Sequence, residues 1–228
     1  MNAVKKGFPI LVLVGLSLVT SSAAQTFAER LAALQGRLQS DPTNMLILFQ
    51  LGDLCYHEGA NKNKEAVILA EGYFKRLLAL DSNNAMARVR YGSVLTMKAR
   101  DAFAPLNRLN YVKAGNREMD EAVRLAPKDA QVRFARVANN FHMPDIMGRE
   151  EIVQEDLAWL WQQAQLPDTQ LNVGQKQTIA LYHGQILQKK NKLDEGIQVW
   201  RAGLALAPES QEAAALKDQL TKHNAPFN

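Results

Sequence analysis

The sequence predicts an all-α fold, a solenoid of antiparallel helix pairs, on three observations. Helix-like segments stop at Asp41-Pro42, Asp81-Ser82, Ala126-Pro127, Leu166-Pro167 and Ala207-Pro208, at intervals of 40, 45, 40 and 41 residues. So regular a period marks a repeat architecture, in which each unit buries its apolar face against the next. Between the stops apolar residues recur at helical spacing, and no segment alternates apolar and polar residues between hairpin turns.

The chain begins with Lys5 and Lys6, an apolar run from Phe8 to Val19, and the small residues Thr20-Ser21-Ser22-Ala23-Ala24. That is the order of a secretory signal peptide. The run has about a dozen residues, against the ~20 of a membrane-spanning helix. We expect residues 1–24 to direct export to the periplasm or the medium, with cleavage after Ala24 and one helical-repeat domain over 25–228. Cleavage removes both lysines and no acid, lowering the formal charge from +4 to +2. A nearly neutral chain lacks the strongly one-signed surface that nucleic-acid binding requires, so no such partner is expected. Cys55 is the only cysteine, so packing rather than a disulfide must hold the domain together. Flanked by Leu54 and Tyr56 in a helical pattern, it is expected to be a buried free thiol.

Helices are expected near 26–39, 44–57, 65–80, 84–101, 108–125, 129–141, 150–165, 171–189, 193–206 and 209–222. The first is a partial helix ahead of four units, at about 42–82, 82–127, 127–167 and 167–208. Gly59, Asn61 and Asn63 part the two helices of the first unit, Pro105 those of the second, Pro144 and Gly148 those of the third, and Asn191 those of the fourth. Residues 209–222 mix Ala213, Leu216 and Leu220 with Glu212, Lys217 and Asp218, as a solubilising terminal cap does.

In the last unit Gly184, Gly196, Trp200, Gly203 and Pro208 are separated by 12, 4, 3 and 5 residues. Small residues let two antiparallel helices cross closely, an aromatic fills the groove beside them, and proline ends the second helix. The steps of 4, 3 and 5 recur in Ala70, Phe74, Leu77, Ser82 and in Gly115, Met119, Ala122, Pro127. Trp159 takes the aromatic place in the third unit, and Gly52 and Gly92 are the small first-helix residues of the first two. From about Phe27 to Lys222 the chain thereby resembles the tetratricopeptide (TPR) repeat family. The resemblance implies a right-handed solenoid of about four units with flanking helices, and a role in binding. The family's first-helix tryptophan is here Leu48, Arg88, Arg133 or Ala180, Val137 stands where a glycine is usual, and only the fourth unit has the family's ordinary length.

Charge points to the middle units. From Arg88 to Arg149 there are 12 Lys or Arg against 6 Asp or Glu, while 25–87 carries 6 against 7 and 150–228 carries 7 against 10. Arg88 and Arg133 hold equivalent places on adjacent first helices, where guanidiniums side by side suit carboxylates or an acidic peptide. The plainer reading has each arginine paired with a local acid such as Asp129 or Glu118. The inserted turns between first and second helices are the second candidate. Arg100, Arg108 and Tyr111 lie in one, with Phe103 and Lys113, and Phe141, His142, Asp145 and Arg149 in the next, with Met143 and Met147. Aromatic, methionine and arginine residues of this kind either form one composite binding edge or fill the gap of an elongated helix pair.

No HExxH, paired-cysteine, glycine-rich phosphate or GxSxG pattern occurs, so no enzyme activity and no cofactor is expected. The four histidines are scattered, and only His142 with Asp145, and Asp101 from the neighbouring insert, form a conceivable metal or acid–base set. The expected function is an exported interaction scaffold or adaptor of the cell envelope that binds a protein or extended peptide, with association with a membrane-bound complex as an extension. The alternative is a small-molecule or metal-binding envelope protein, an enzyme included, that uses the inserts of the middle units.

Overall fold

The computed structural model describes residues 25–227. The signal-peptide reading falls on residues 1–24, outside that range. Among the described residues there are ten α-helices and no strand: α1 Phe27–Ser40, α2 Met45–Ala60, α3 Lys64–Leu80, α4 Ala85–Asp101, α5 Pro105–Leu125, α6 Ala130–Asn140, α7 Glu150–Ala164, α8 Val173–Lys189, α9 Leu193–Leu206 and α10 Ala213–Lys222. A single 3₁₀ turn, Asp145–Met147, lies between α6 and α7. No described helix is long and apolar enough to cross a membrane.

Local chemistry sets where these helices start. The side chains of Asn44, Asn63 and Asn84 accept the N–H of Ile47, Ala66 and Ala87 at 3.0, 3.1 and 3.0 Å. Asp129 caps α6 through Gln131 and Val132, and Asn172 caps α8 reciprocally with Gln175. Each cap satisfies an amide that has no intrahelical partner, worth about 1 kcal/mol. The connections leading into the first three units are one turn used three times: Asn44 donates its N–H to the Asp41 carbonyl, Asn84 to Asp81 and Asp129 to Ala126, at 3.1, 3.3 and 3.1 Å.

The pairs α2/α3, α4/α5, α6/α7 and α8/α9 pack in succession, with α1 before them and α10 after them. The small residues read from the spacing lie at the crossings. A Cβ on Gly52 would stand 2.7 Å from the Phe74 ring, one on Gly92 2.7 Å from the Gly115 carbonyl, and one on Gly184 2.2 Å from Trp200 Nε1. The core is a series of apolar clusters along the stack, from Leu48, Phe74 and Leu77 through Val89, Met119 and Val132, then Leu157, Leu160 and Ile179, to Trp200, Leu216 and Leu220.

Three boundaries differ from expectation. α2 continues to Ala60 because Gly59 serves close packing against Val67 rather than a break. α5 starts at Pro105, where proline occupies the first helical position and its missing N–H leaves nothing unsatisfied. The expected insert of the second unit is therefore only residues 102–104, and the rest is helix. α10 starts at 213 rather than 209, because Ser210 holds the preceding turn: its Oγ accepts the Ala213 N–H at 3.1 Å and donates to Gln177 Oε1 at 2.7 Å.

Candidate functional site

Arg88 and Arg133 are the fourth residues of α4 and α6, and both guanidiniums turn into their own units. Arg88 Nη1 donates to Glu118 on α5 at 2.5 Å, and its Nη2 donates to the Ser82 carbonyl at 2.7 Å. Arg133 Nη1 donates to Asp156 on α7 at 2.5 Å, its Nε donates to the Pro127 carbonyl at 2.7 Å, and its guanidinium lies 4.9 Å from the Trp159 ring centre. Each arginine thus fastens its first helix to the second helix of the unit and to the stop that precedes the unit. Glu118 is the acid named from the sequence; Asp129 is not used this way, because it is engaged in capping α6.

Arg133 belongs to a larger buried network. Asp156, fully buried, also accepts from Arg136 Nε at 2.7 Å and Nη2 at 2.9 Å. Arg136 Nη1 reaches Asp120 on α5 at 3.0 Å. Asp120 in turn takes two bonds from Arg149, at 2.8 and 2.6 Å, while Arg149 Nε donates to Asn140 at 3.3 Å. Burial alone would lower the Arg136 pKa, but hydrogen bonds and charge from Asp156, with Asp120 behind it, hold it above its ordinary value. A buried guanidinium tolerates desolvation only when paired in this manner. Arg149 is therefore a strut between the α6–α7 link and α5.

The remaining candidates sit on or beside two links that run to different neighbours: Arg100 lies in the last turn of α4 and Arg108 and Tyr111 are on α5, while Phe141, His142 and Asp145 lie between α6 and α7. In the second unit, Arg100 donates to both Asp101 oxygens at 2.8 Å and to the Gly59 carbonyl at 3.1 Å, tying the end of α4 to the last turn of α2. Arg108 Nε closes the link onto the Ala102 carbonyl at 2.6 Å. Tyr111 lies under Lys98, 4.7 Å from its ring centre, and Lys98 pairs with Glu71 on α3. The apolar side chains outside these contacts stay in solvent: Phe103 is 98% exposed and Leu106 68%. Across residues 102–117 the cations are Arg108, Lys113 and Arg117, and there is no acid.

In the third unit, the Phe141 ring stacks on Tyr182 of α8 at 3.8 Å and 6°, and His142 stands edge-on to both rings at 5.0 and 5.5 Å. The Tyr182 hydroxyl lies 3.3 Å from His142 Nε2, and burial pushes the Tyr182 pKa up. Asn116 of α5 donates to the Met143 sulfur at 3.7 Å. Asp145 opens the 3₁₀ turn, which Gly148 ends in a left-handed conformation, φ 63°, that glycine adopts without strain. Ile146, in the middle of that turn, is 93% exposed. The cleft beside Arg149 and Asp145 is about 40 Å³, far below the several hundred Å³ of a small-molecule site. Among the described residues no three His, Cys, Asp or Glu side chains are grouped to hold a metal ion.

Sequence reasoning missed Asp120, Arg136, Asn140 and Asp156. The available signal was Arg136 itself, a charge set among Val132, Ala135 and Val137 on the apolar face of α6.

No protein-family model and no curated protein matches the sequence. Among solved structures, the fold is similar to that of a thermophilic TPR protein of Thermus thermophilus, with a TM-score of 0.64 and 16% identity, covering 86% of this chain and 91% of that one. At that identity the likeness concerns the fold alone, and the chain has a TPR-like fold.

Proposed function

We propose that this protein is an exported interaction scaffold of the cell envelope that binds a protein or extended peptide along the edge where the links of its middle units emerge. A TPR-like fold usually serves protein interaction, which supports the class of function. The observation that carries the choice of surface is the pair of solvent-exposed apolar side chains, Phe103 at 98% and Ile146 at 93%, on neighbouring links. Aromatic and aliphatic groups left in water beside Arg108, Lys113, Tyr111, His142 and Asp145 form an anchor with a polar rim, the anatomy of an interface. Arg149 supports that edge from within and Arg100 ties it to the first unit, whereas Arg88 and Arg133 lie at the opposite ends of α4 and α6, on the stops that precede their units.

Co-purification from envelope extracts tests the surface. F103E with I146E alters exposed residues and leaves the helical fold intact, and it removes the partner that co-purifies with the parent chain. An unchanged partner at unchanged affinity rules the edge out. Export is tested separately by the N-terminal residue of the protein recovered outside the cytoplasm, expected to be Gln25.

A further inference from the structure

The two ends of the stack are finished differently. At the C-terminal end α10 buries Ala213, Leu216 and Leu220 against the last pair. At the N-terminal end α1 holds the place of a second helix without a first helix of its own among the described residues. Forty residues before Ala70, Phe74, Leu77 and Ser82 stand Arg30, Leu34, Arg37 and Pro42. In α3 those three side chains are buried, packed with α2. In α1 Arg30 and Arg37 are exposed and Leu34 half-buried. With Ala33, Phe49 and Leu54 they line an open groove of about 590 Å³ along α1 and α2. Leu46, 64% exposed, continues the α2 side of it one turn before Phe49.

Neither Arg30 nor Arg37 makes an ion pair among the described residues, whereas the acid on the opposite wall, Asp53, is already shared between Arg90 at 3.0 Å and His57 at 3.3 Å. The groove therefore has an apolar floor and two uncompensated guanidiniums. Seven residues apart on one helix, they stand two turns, or ~10.5 Å, from each other. We infer that this groove is the docking site for an acidic amphipathic helix of a partner protein, which takes the place of the first helix that the described residues lack. Leucine-type side chains enter between Leu34 and Phe49, and carboxylates seven residues apart each accept a forked pair of hydrogen bonds from Arg30 and Arg37. Charge argues against two other occupants. A second copy docking through the same surface would bring four guanidiniums together. Residues 1–24 of this chain carry Lys5 and Lys6 and no acid, so their sign does not match the groove. This surface is separate from the edge bearing Phe103 and Ile146, and either can fail without the other.

The test uses a fluorescein-labelled ~18-residue peptide, helical with a leucine stripe and two glutamates seven residues apart, and counterparts with glutamine or lysine at those positions. Anisotropy titrations are run with the full chain and with the chain starting at Gln25. The glutamate peptide is expected to bind both at least ~10-fold more tightly than the glutamine peptide. R30E with R37E, both at exposed positions, is expected to reverse the preference toward the lysine peptide, which a merely unfolded variant cannot do. Equal binding of the glutamate and glutamine peptides, or binding untouched by R30E with R37E, overturns the proposal. Binding only to the chain starting at Gln25 assigns the groove to residues 1–24 and also overturns it. A dimer in sedimentation velocity that R30E with R37E dissociates does the same in favour of a second copy.

Discussion

The third and fourth units hold the same kind of helix pair together by different physics. In the fourth, α8 and α9 meet at glycine: Trp200 is fully buried over Gly184, its Nε1 donates to the Leu181 carbonyl at 3.1 Å, and Gly196 lies against the Gly184 carbonyl. In the third, α6 and α7 meet through Arg133, Arg136 and Asp156, with Val137 where the other units have glycine. Close packing wins where both helices can be small at the crossing. Where one helix carries a larger residue, the gap is bridged by long side chains whose charges must then be matched. The first solution is insensitive to the loss of a charge but intolerant of added volume; the second is the reverse.

The largest effect is expected at the ionic crossing. Asp156→Ala takes the shared carboxylate from buried Arg136 and half-buried Arg133 and is expected to cost about 3–5 kcal/mol, read by urea denaturation. Replacing all three, R133M with R136L and D156L, is expected to return stability to within ~1–2 kcal/mol of the parent. A triple variant as weak as Asp156→Ala would mean that geometry rather than pairing holds this crossing. In the fourth unit Gly184→Ala pushes a methyl into Trp200 and is expected to cost about 1–3 kcal/mol, equally at low and high salt. A strong salt dependence there would dissolve the distinction between the units.

A smaller effect follows from His183, which stacks at 5.9 Å on Trp161 and has a buried Nδ1 without a partner. Burial, with Lys190 nearby, lowers its pKa, and Glu195 opposes only in part. A histidine whose folded pKa is depressed stays neutral while the unfolded chain takes up a proton. Its contribution is thus complete above the unfolded value of about 6.5 and is lost as pH falls below it. Thermal melts from pH 7.5 down to 5 should show a decline that His183→Phe flattens, and parallel declines in the two proteins would assign the effect elsewhere. The mildest prediction concerns reactivity rather than stability. Burial raises the Cys55 pKa to about 11, so a thiol reagent at neutral pH should label the native chain far more slowly than the urea-unfolded one, and equal rates would contradict its burial.

The helices were legible because their signals are local: a cap, an apolar stripe and a stop within a few residues. Pro105 shows the limit of such reading. A proline ends one helix or begins another with the same residue, and only the three-residue link it leaves behind decides which. The equivalence of Arg88 and Arg133 was also legible, since it follows from the period. Their partners were not, because Glu118 and Asp156 lie 30 and 23 residues away, at different positions of their second helices. The exposure of Phe103 and Ile146 could not be read at all, since a Phe or Ile in a link fills a core as readily as it faces water.

The four-residue turns at 41–44, 81–84 and 126–129 also set the kinetics of assembly. Connections so short cost little closure entropy, and a chain whose contacts are mostly between neighbours folds quickly, from whichever pair forms first. The passage from Ala164 at the end of α7 to Val173 at the start of α8 breaks that series. Growth from either side must close a longer loop at this point, as it must across residues 141–149 inside the third unit, so the first two units and the fourth are expected to form as separate nuclei that join last through α7.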